Sequence, residues 1–207
     1  MIEERLGSRY GERLLNHRRS FSSGERVVCW DLGCGRGEFL KVAQDMGYMV
    51  NGIDGNREAI KLCKNAGYEV YCGDILKQMA KIPTASAYLV TSFHVIEHCP
   101  SQYFLEVFRE AFRILGRGGV FVVETPSLYS LWASARQFYL DPTHDKPVHP
   151  ELIKFMAEDV GFRNIEMLEF DKAEGPEIVA LEGVKDIEPL SKWLYGPMDI
   201  ALWCSRS

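Results

Sequence analysis

The segment Asp31-Leu32-Gly33-Cys34-Gly35-Arg36-Gly37-Glu38 gathers the residue types that shape a ligand site. Its glycines alternate where an apolar run, Arg26 to Asp31, hands over to a helical pattern. Glycine lets the backbone turn sharply and lets a ligand approach it closely. In open α/β sheets, ligands bind beyond the carboxyl ends of the strands. The spacing is G-x-G-x-G with Glu38 next, not the G-x-G-x-x-G that seats a pyrophosphate on a helix N-terminus. Charge points the same way: Asp31 and Glu38 would repel a diphosphate by about 1 kcal/mol or more in a partly desolvated site. A cationic ligand fits better. S-adenosylmethionine carries a sulfonium and an ammonium and no phosphate, so Asp31 can face its ammonium while the glycine backbone packs on its methionine part.

Two more carboxylates extend this site. Asp54 ends the apolar run Met49 to Asp54 about 20 residues further on, where an acidic residue accepts both hydroxyls of a ribose. NAD shares that feature, so Asp54 marks an adenosine without choosing its carrier. Asp74 can accept the adenine amino group while Ile75 packs on the ring; Asp74 is equally suited to cap the helix that follows.

A second chemical cluster follows the fourth predicted strand, at His94-Val95-Ile96-Glu97-His98. On a turn of helix, positions 94, 97 and 98 share a face. His144 and His149 lie in a proline-rich loop, so four of the five histidines fall in two segments. Methyl transfer aligns a nucleophile, a methyl and a sulfur, and proximity supplies much of the acceleration. A hydroxyl acceptor also loses a proton, which a histidine or carboxylate can take. His98 is therefore a candidate general base, with Glu97 orienting it and His144 beside it. Alternatively, a divalent metal held among His94, Glu97, His98, His144 and His149 polarises the acceptor oxygen. A third reading has these residues merely bracing turns and loop.

The elements that must position these groups alternate. Strands are expected at 26–31, 49–54, 69–72, 87–93 and 120–124, with helices at 38–46, 56–66, 75–81 and 101–115 between them. Ser101 is read as an N-cap and Gly116 to Gly119 as a tight turn. Such alternation predicts right-handed crossovers and a mainly parallel sheet with helices on both faces. An N-terminal helix, 3–17, precedes it; its Arg5, Arg9 and Arg13 read as a solvated face, with one of them able to reach the cofactor carboxylate should the helix fold over the site. Residues 127–140 read as a helix rich in aromatics, of which Tyr129, Trp132, Phe138 and Tyr139 can line a lid or a sugar-stacking wall. Three prolines make 141–150 a loop, and Pro150 opens a helix that Gly161 closes. Strands are expected at 164–170 and 200–204; 171–192 lacks a pattern and is expected to be mobile.

At 207 residues the chain is long enough for one core, and it is read as one domain, with 1–25 an N-terminal helix and 127–160 a substrate-side insertion. With 46% hydrophobic and 26% charged residues it has a globular composition. A net charge of −5 argues against coating a nucleic acid. No stretch approaches the roughly 18 apolar residues of a membrane span, and the first residues do not read as a secretory signal. Six cysteines without C-x-x-C spacing read as buried or half-buried free thiols in a reducing compartment, so a cytoplasmic location is expected.

The strings DLGCGRGEFL, GID, GDIL, TSFHVIEH and LGRGGVFVVETP, within about residues 26–126, resemble the successive motifs of class I S-adenosylmethionine-dependent methyltransferases. The resemblance implies a Rossmann-like α/β fold: a seven-stranded, mostly parallel sheet in the order 3-2-1-4-5-7-6 with strand 7 antiparallel. It implies cofactor contacts at Asp31, Gly33, Cys34, Gly35, Asp54, Asp74, Ile75 and Phe93. Some related methyltransferases hold magnesium through Glu-x-x-Glu-His; here His94 stands in the first place, and a histidine-rich set suits zinc, iron or manganese better. YLDPTHDKPVHPELIKFMAEDVGF and LYGPMDIALW resemble a bacterial subgroup associated with polysaccharide and O-antigen biosynthesis. The expectation is therefore methyl transfer to a hydroxyl oxygen of a saccharide or small molecule. The rivals are transfer to nitrogen or to another small metabolite, an NAD(P)-dependent oxidoreductase, and a cofactor-binding partner subunit without catalysis.

Overall fold

A computed structural model describes residues 2–172 and 193–207. The elements run α1 (Ile2–Arg19), β1 (Val28–Leu32), α2 (Glu38–Asp45), β2 (Met49–Asp54), α3 (Arg57–Asn65), β3 (Glu69–Cys72), α4 (Ile75–Met79), β4 (Ala87–Phe93), α5 (Ser101–Ile114), β5 (Leu115–Pro126), α6 (Pro150–Val160), β6 (Arg163–Lys172) and β7 (Pro197–Ser205). The strands form one sheet in the order β3-β2-β1-β4-β5-β7-β6. Pairing is parallel from β3 through β5, and β7 is antiparallel to both of its neighbours. This is the α/β fold expected from the sequence.

Period-2 alternation places the core on both faces of the sheet. On β5, Phe121 and Val123 face α5 and α6, packing with Phe104, Phe108 and Phe162; Val120 and Val122 face α1 and α2, packing with Leu6, Leu14 and Phe39. Ala201 on β7 joins the second face, and Ile200, Leu202 and Cys204 join the first. Both faces of these central strands are covered, which is why they read as continuous apolar runs. No helix of the described residues is long and apolar enough to cross a membrane.

Several local expectations are corrected. Ser101 is the first residue of α5, and Pro100 before it holds the cap position. Gly116 to Gly119 do not make a separate turn: they lie within β5, where Gly118 adopts φ +78° and donates to the Arg206 carbonyl at 2.7 Å. The shifted pairing of β4 with β5 between Ala87 and Leu89 takes up the irregularity. Helical structure after Pro126 begins only near Leu131 and is a π turn, Trp132–Gln137, followed by a 3-10 turn, Phe138–Leu140. Of the cysteines, Cys72 is exposed. Asp171 and Lys172 extend β6; the mobility expected for the rest of 171–192 concerns residues outside those described. His149 caps α6, its ring Nδ1 accepting from the Glu151 N–H at 3.2 Å, and Gly161 closes that helix at φ +112°.

Arg9 is not solvated, whereas Arg13 stays on the solvated face, 40% exposed. Arg13 pairs bidentately with Glu166 at 2.7 Å. The Arg9 side chain is 3% exposed and binds Glu124 at 2.6 Å, Asp199 at 2.8 Å, and Asp171. These bonds clasp α1 over the carboxyl ends of β5 and β6 and the amino end of the antiparallel β7, a tertiary closure that helical periodicity does not reveal.

Candidate active site

Three alternating left-handed residues explain the glycine spacing. Gly33, Gly35 and Gly37 have φ of +75°, +53° and +89°. A Cβ on Gly33 would lie 2.3 Å from Val95 Cγ2. The turn is anchored to β2: the Gly33 and Cys34 N–H groups donate to the Ile53 carbonyl at 2.8 and 3.0 Å. Leu32 stands opposite Ile53 in the parallel ladder, so the turn and Asp54 emerge side by side.

Asp31, Asp54 and Asp74 mark the ends of β1, β2 and β3, which are successive neighbours in the sheet. Strands lie about 4.8 Å apart, so the row spans roughly 10 Å, a length suited to an extended nucleoside. Asp31 is 3% exposed and accepts from Thr91 Oγ1 at 2.7 Å. Burial pushes its pKa up to about 7; the Thr91 bond opposes this, and Asp54 and Glu38 add to the rise. Asp54 accepts from the Gly35 N–H at 2.8 Å and from the Asn56 N–H at 2.7 Å. Asp74 caps α4 through the Lys77 N–H at 2.9 Å and accepts from Tyr103 Oη at 2.8 Å.

A cavity of about 180 Å³ lies against the turn, lined by Asp31, Gly33, Cys34, Gly35, Phe93 and others. Asp54, Asp74 and Ile75 do not line it; they stand further along the strand ends. A second cavity of about 310 Å³ lies beyond β4 and is lined by Phe138, His144, Asp171, Met198 and Asp199. Arg5 and His94 line both. Of the four aromatics expected to form a wall, only Phe138 lines this second cavity. Trp132 packs instead under Arg136 and against Tyr195.

His94 holds the junction in an unusual posture. Its φ is +54°, and a 3-10 turn, Ile96–His98, follows it. Positions 94, 97 and 98 therefore do not follow one regular helical face, and two groups that share Glu97 result. In the first, His94 Nε2 lies 3.0 Å from Glu124 Oε1, and Nδ1 lies 3.2 Å from Glu97 Oε1. Burial opposes a charge on this ring, but Glu124 and Glu97 outweigh it and hold the pKa at about 10. His94 is an imidazolium at neutral pH, with both nitrogens engaged, and so is not a base. Glu124 is buried, which would raise its pKa; His94, Arg9 and Tyr10 reverse the direction and keep it ionised.

The second group is Glu97, His98 and His144, each with a potential ligand atom within 4.8 Å of the others. The expected partnership of Glu97 with His98 takes a different form. His98 Nδ1 donates to the Thr143 carbonyl at 3.1 Å, while Glu97 accepts from Thr125 Oγ1 at 3.1 Å. The loop carrying His144 is tied to the turn by the Asp145 N–H, which donates to the Glu97 carbonyl at 2.9 Å. Sequence reasoning missed Glu124, Asp171 and Asp199, and it named Arg5 only as one of three arginines of which one could reach the site. Arg5 shares a helical stripe with other arginines, and the acids sit on three strands that only the sheet order unites.

The chain matches a family described as "Methyltransferase domain" over residues 30–123. It is 30% identical over 135 residues to a probable S-adenosylmethionine-dependent methyltransferase of Mycolicibacterium smegmatis, covering 64% of this chain and 50% of that protein. It is 26% identical over 180 residues to the methyltransferase phqN of Penicillium fellutanum, covering 83% of this chain and 52% of that one. The chain thus spans about half the length of the curated relatives it matches. A crystal structure of a SAM-dependent methyltransferase from Archaeoglobus fulgidus superposes with a TM-score of 0.85 and 28% identity, covering 99% of this chain and 94% of that one. With the sheet order, the glycine-rich turn and these likenesses together, the chain has the Rossmann-like fold of class I S-adenosylmethionine-dependent methyltransferases.

Proposed function

We propose that this protein transfers a methyl group from S-adenosylmethionine to a hydroxyl oxygen of a saccharide or small polar acceptor. S-adenosylmethionine is the cofactor. Its ammonium faces Asp31, its ribose Asp54, and its adenine Asp74 and Ile75, with Phe93 against the adenosyl part. The observation that carries the reading is the shared lining of two cavities: Arg5 and His94 border both the space against the glycine turn and the space beyond β4. A sulfonium seated in the first presents its methyl toward the second.

In the transfer, an acceptor oxygen lone pair forms the O–C bond. The C–S bond breaks with its electrons returning to sulfur, giving the neutral thioether S-adenosylhomocysteine, and the hydroxyl proton leaves. Glu97, His98 and His144 activate that hydroxyl, His98 or His144 receiving the proton at Nε2. His94 is excluded from this role because both of its nitrogens face carboxylates. Phe138 offers a flat face to a sugar ring, and Asp171 and Asp199 offer acceptors to its hydroxyls. Those acids also favour a second reading, an amine acceptor held as its ammonium. The reducing surroundings implied by free cysteines suit action in the cytoplasm.

Calorimetry with S-adenosylmethionine and with NAD tests the class: micromolar-range binding of the first and none of the second is expected, and the reverse would sink the reading. Transfer of labelled methyl to a panel of saccharides and amines separates the acceptors. With a hydroxyl acceptor, His98→Ala should lower turnover about 100-fold or more while cofactor affinity changes little.

A further inference from the structure

We propose that Glu97, His98 and His144 form a binding site for a divalent transition-metal ion facing the acceptor cavity. The two histidines are prepared alike. His98 Nδ1 lies 3.1 Å from the Thr143 carbonyl and 3.0 Å from Thr143 Oγ1, and His144 Nδ1 lies 2.6 Å from the Phe138 carbonyl. A carbonyl only accepts, so each Nδ1 carries the proton in the neutral ring and each Nε2 keeps a bare lone pair. That is how metal-ligating histidines are held: the far nitrogen donates to a carbonyl, fixing tautomer and ring orientation. Thr143 Oγ1 is itself oriented, since it donates to Asp141 Oδ1 at 2.6 Å.

Glu97 supplies the third ligand. Its side chain is 0% exposed, and Oε1 has no hydrogen bond of good geometry, only the 3.2 Å approach of His94 Nδ1. A fully buried carboxylate left with an open lone pair carries a desolvation cost that a cation would relieve. One ligand atom from each of the three residues lies within 4.8 Å of the other two. Modest side-chain rotations bring such a set to metal distances of about 2.0–2.2 Å. Two imidazoles and one carboxylate suit zinc, iron(II), manganese or cobalt rather than magnesium, which prefers an all-oxygen shell. His144 lines the acceptor cavity, so open coordination positions face the acceptor. An ion there would serve as a Lewis acid on the acceptor hydroxyl; with both Nε2 lone pairs on the ion, the hydroxyl proton would pass to solvent, and His98 and His144 take it only in the metal-free protein. Only this catalytic role rests on the methyltransferase reading; the site itself rests on ligand geometry.

The grouping His94, Glu124 and Asp199 has similar spacing, but Arg9 already fills it with a guanidinium bound to both acids. At the Glu97, His98 and His144 site the neighbouring cation among the described residues is the His94 ring, 3.2 Å from Glu97 Oε1, and it leaves the two histidine Nε2 atoms open.

The test begins with chelator-stripped protein titrated with cobalt(II), followed by its visible d–d absorption, and with zinc(II) by calorimetry. One equivalent should bind, and the ring signals of His98 and His144 should shift together in histidine-selective NMR of the unmutated protein. His98→Ala and His144→Ala should each weaken binding at least tenfold, with S-adenosylmethionine affinity within twofold of the parent. His149→Ala, on the helix cap outside the triad, should leave metal affinity unchanged. Absence of binding, binding that both triad variants retain, or an equal loss in His149→Ala overturns the proposal. Should a triad variant fail to fold, the NMR shifts of the unmutated protein decide. Metal binding without S-adenosylmethionine binding would refute the functional reading and leave the metal site standing; the converse would leave His98 and His144 as proton acceptors without an ion.

Discussion

Arg9 of the first helix donates to Glu124 of the fifth strand at 2.6 Å, bridging 115 residues of sequence with both side chains almost entirely out of solvent. This bond joins the helix that lines the cavity against the glycine turn to the strand ends beneath it. The same guanidinium also engages Asp171 and Asp199, so one cation touches three carboxylates, with the His94 ring as a second cation beside Glu124.

Replacing Arg9 should therefore cost far more than a surface pair would. Arg9→Met leaves Glu124 and Asp199 buried beside one fewer cation, and breaking a buried pair from one side costs about 3–5 kcal/mol. We expect the lower part of that range, because Asp171 is 53% exposed and water screens its share. Urea unfolding would measure it. A loss below about 1 kcal/mol would mean that the clasp is not what holds α1.

Cofactor affinity should rise with pH around neutrality. Asp31 has its pKa raised to about 7 in the ligand-free protein, and only its ionised form can face an ammonium. Below that value, binding must expel a proton, so affinity should fall by up to about tenfold per pH unit as pH drops. The linkage on folding has the opposite sign. A raised acid pKa means that the native state holds the proton more tightly, so stability of the ligand-free protein should decline as pH climbs from the ordinary aspartate range toward 7. Calorimetry from pH 5.5 to 8.5, with Asp31→Asn as control, checks the first effect. An affinity flat with pH in the parent protein would contradict the assignment.

Gly33 should tolerate no side chain. At φ +75°, with a Cβ position 2.3 Å from Val95 Cγ2, Gly33→Ala suffers backbone strain and overlap together. We expect a destabilisation of about 1–3 kcal/mol and weakened cofactor binding. The double variant Gly33→Ala/Val95→Ala should recover part of the stability, since it removes the overlap and leaves the strain. Thermal unfolding of the two variants side by side separates these contributions.

Asp54→Ala should weaken S-adenosylmethionine by about 1–3 kcal/mol, the cost of removing a charged hydrogen-bond partner. The carboxylate also braces the turn through the Gly35 N–H, so Asp54→Asn should retain part of that brace and lose less. Equal affinities for Asp54→Ala and the parent protein would displace the ribose from this strand end.

Local pattern and backbone chemistry determined much of this protein from the chain alone. Apolar runs alternating with amphipathic stretches announce strands and crossover helices. The glycines of the first turn can be read because three alternate left-handed positions admit little else. Asp31 could be found because it directly precedes that turn, and Asp54 and Asp74 because each closes or follows a short strand. The tertiary structure decided which side chains meet. Arg9 looks like one solvated arginine among several until α1 closes on Glu124, Asp171 and Asp199, three acids drawn from separate strands. His94, Glu97 and His98 look like one constellation until a left-handed residue and a 3-10 turn aim the two histidines apart, His94 to Glu124 and His98 toward His144, with Glu97 between them. Periodicity describes neighbours a few residues apart. Ion pairing and ligand sets depend on contacts across tens of residues, which arise only when the sheet order and the packing of helices and loops are settled.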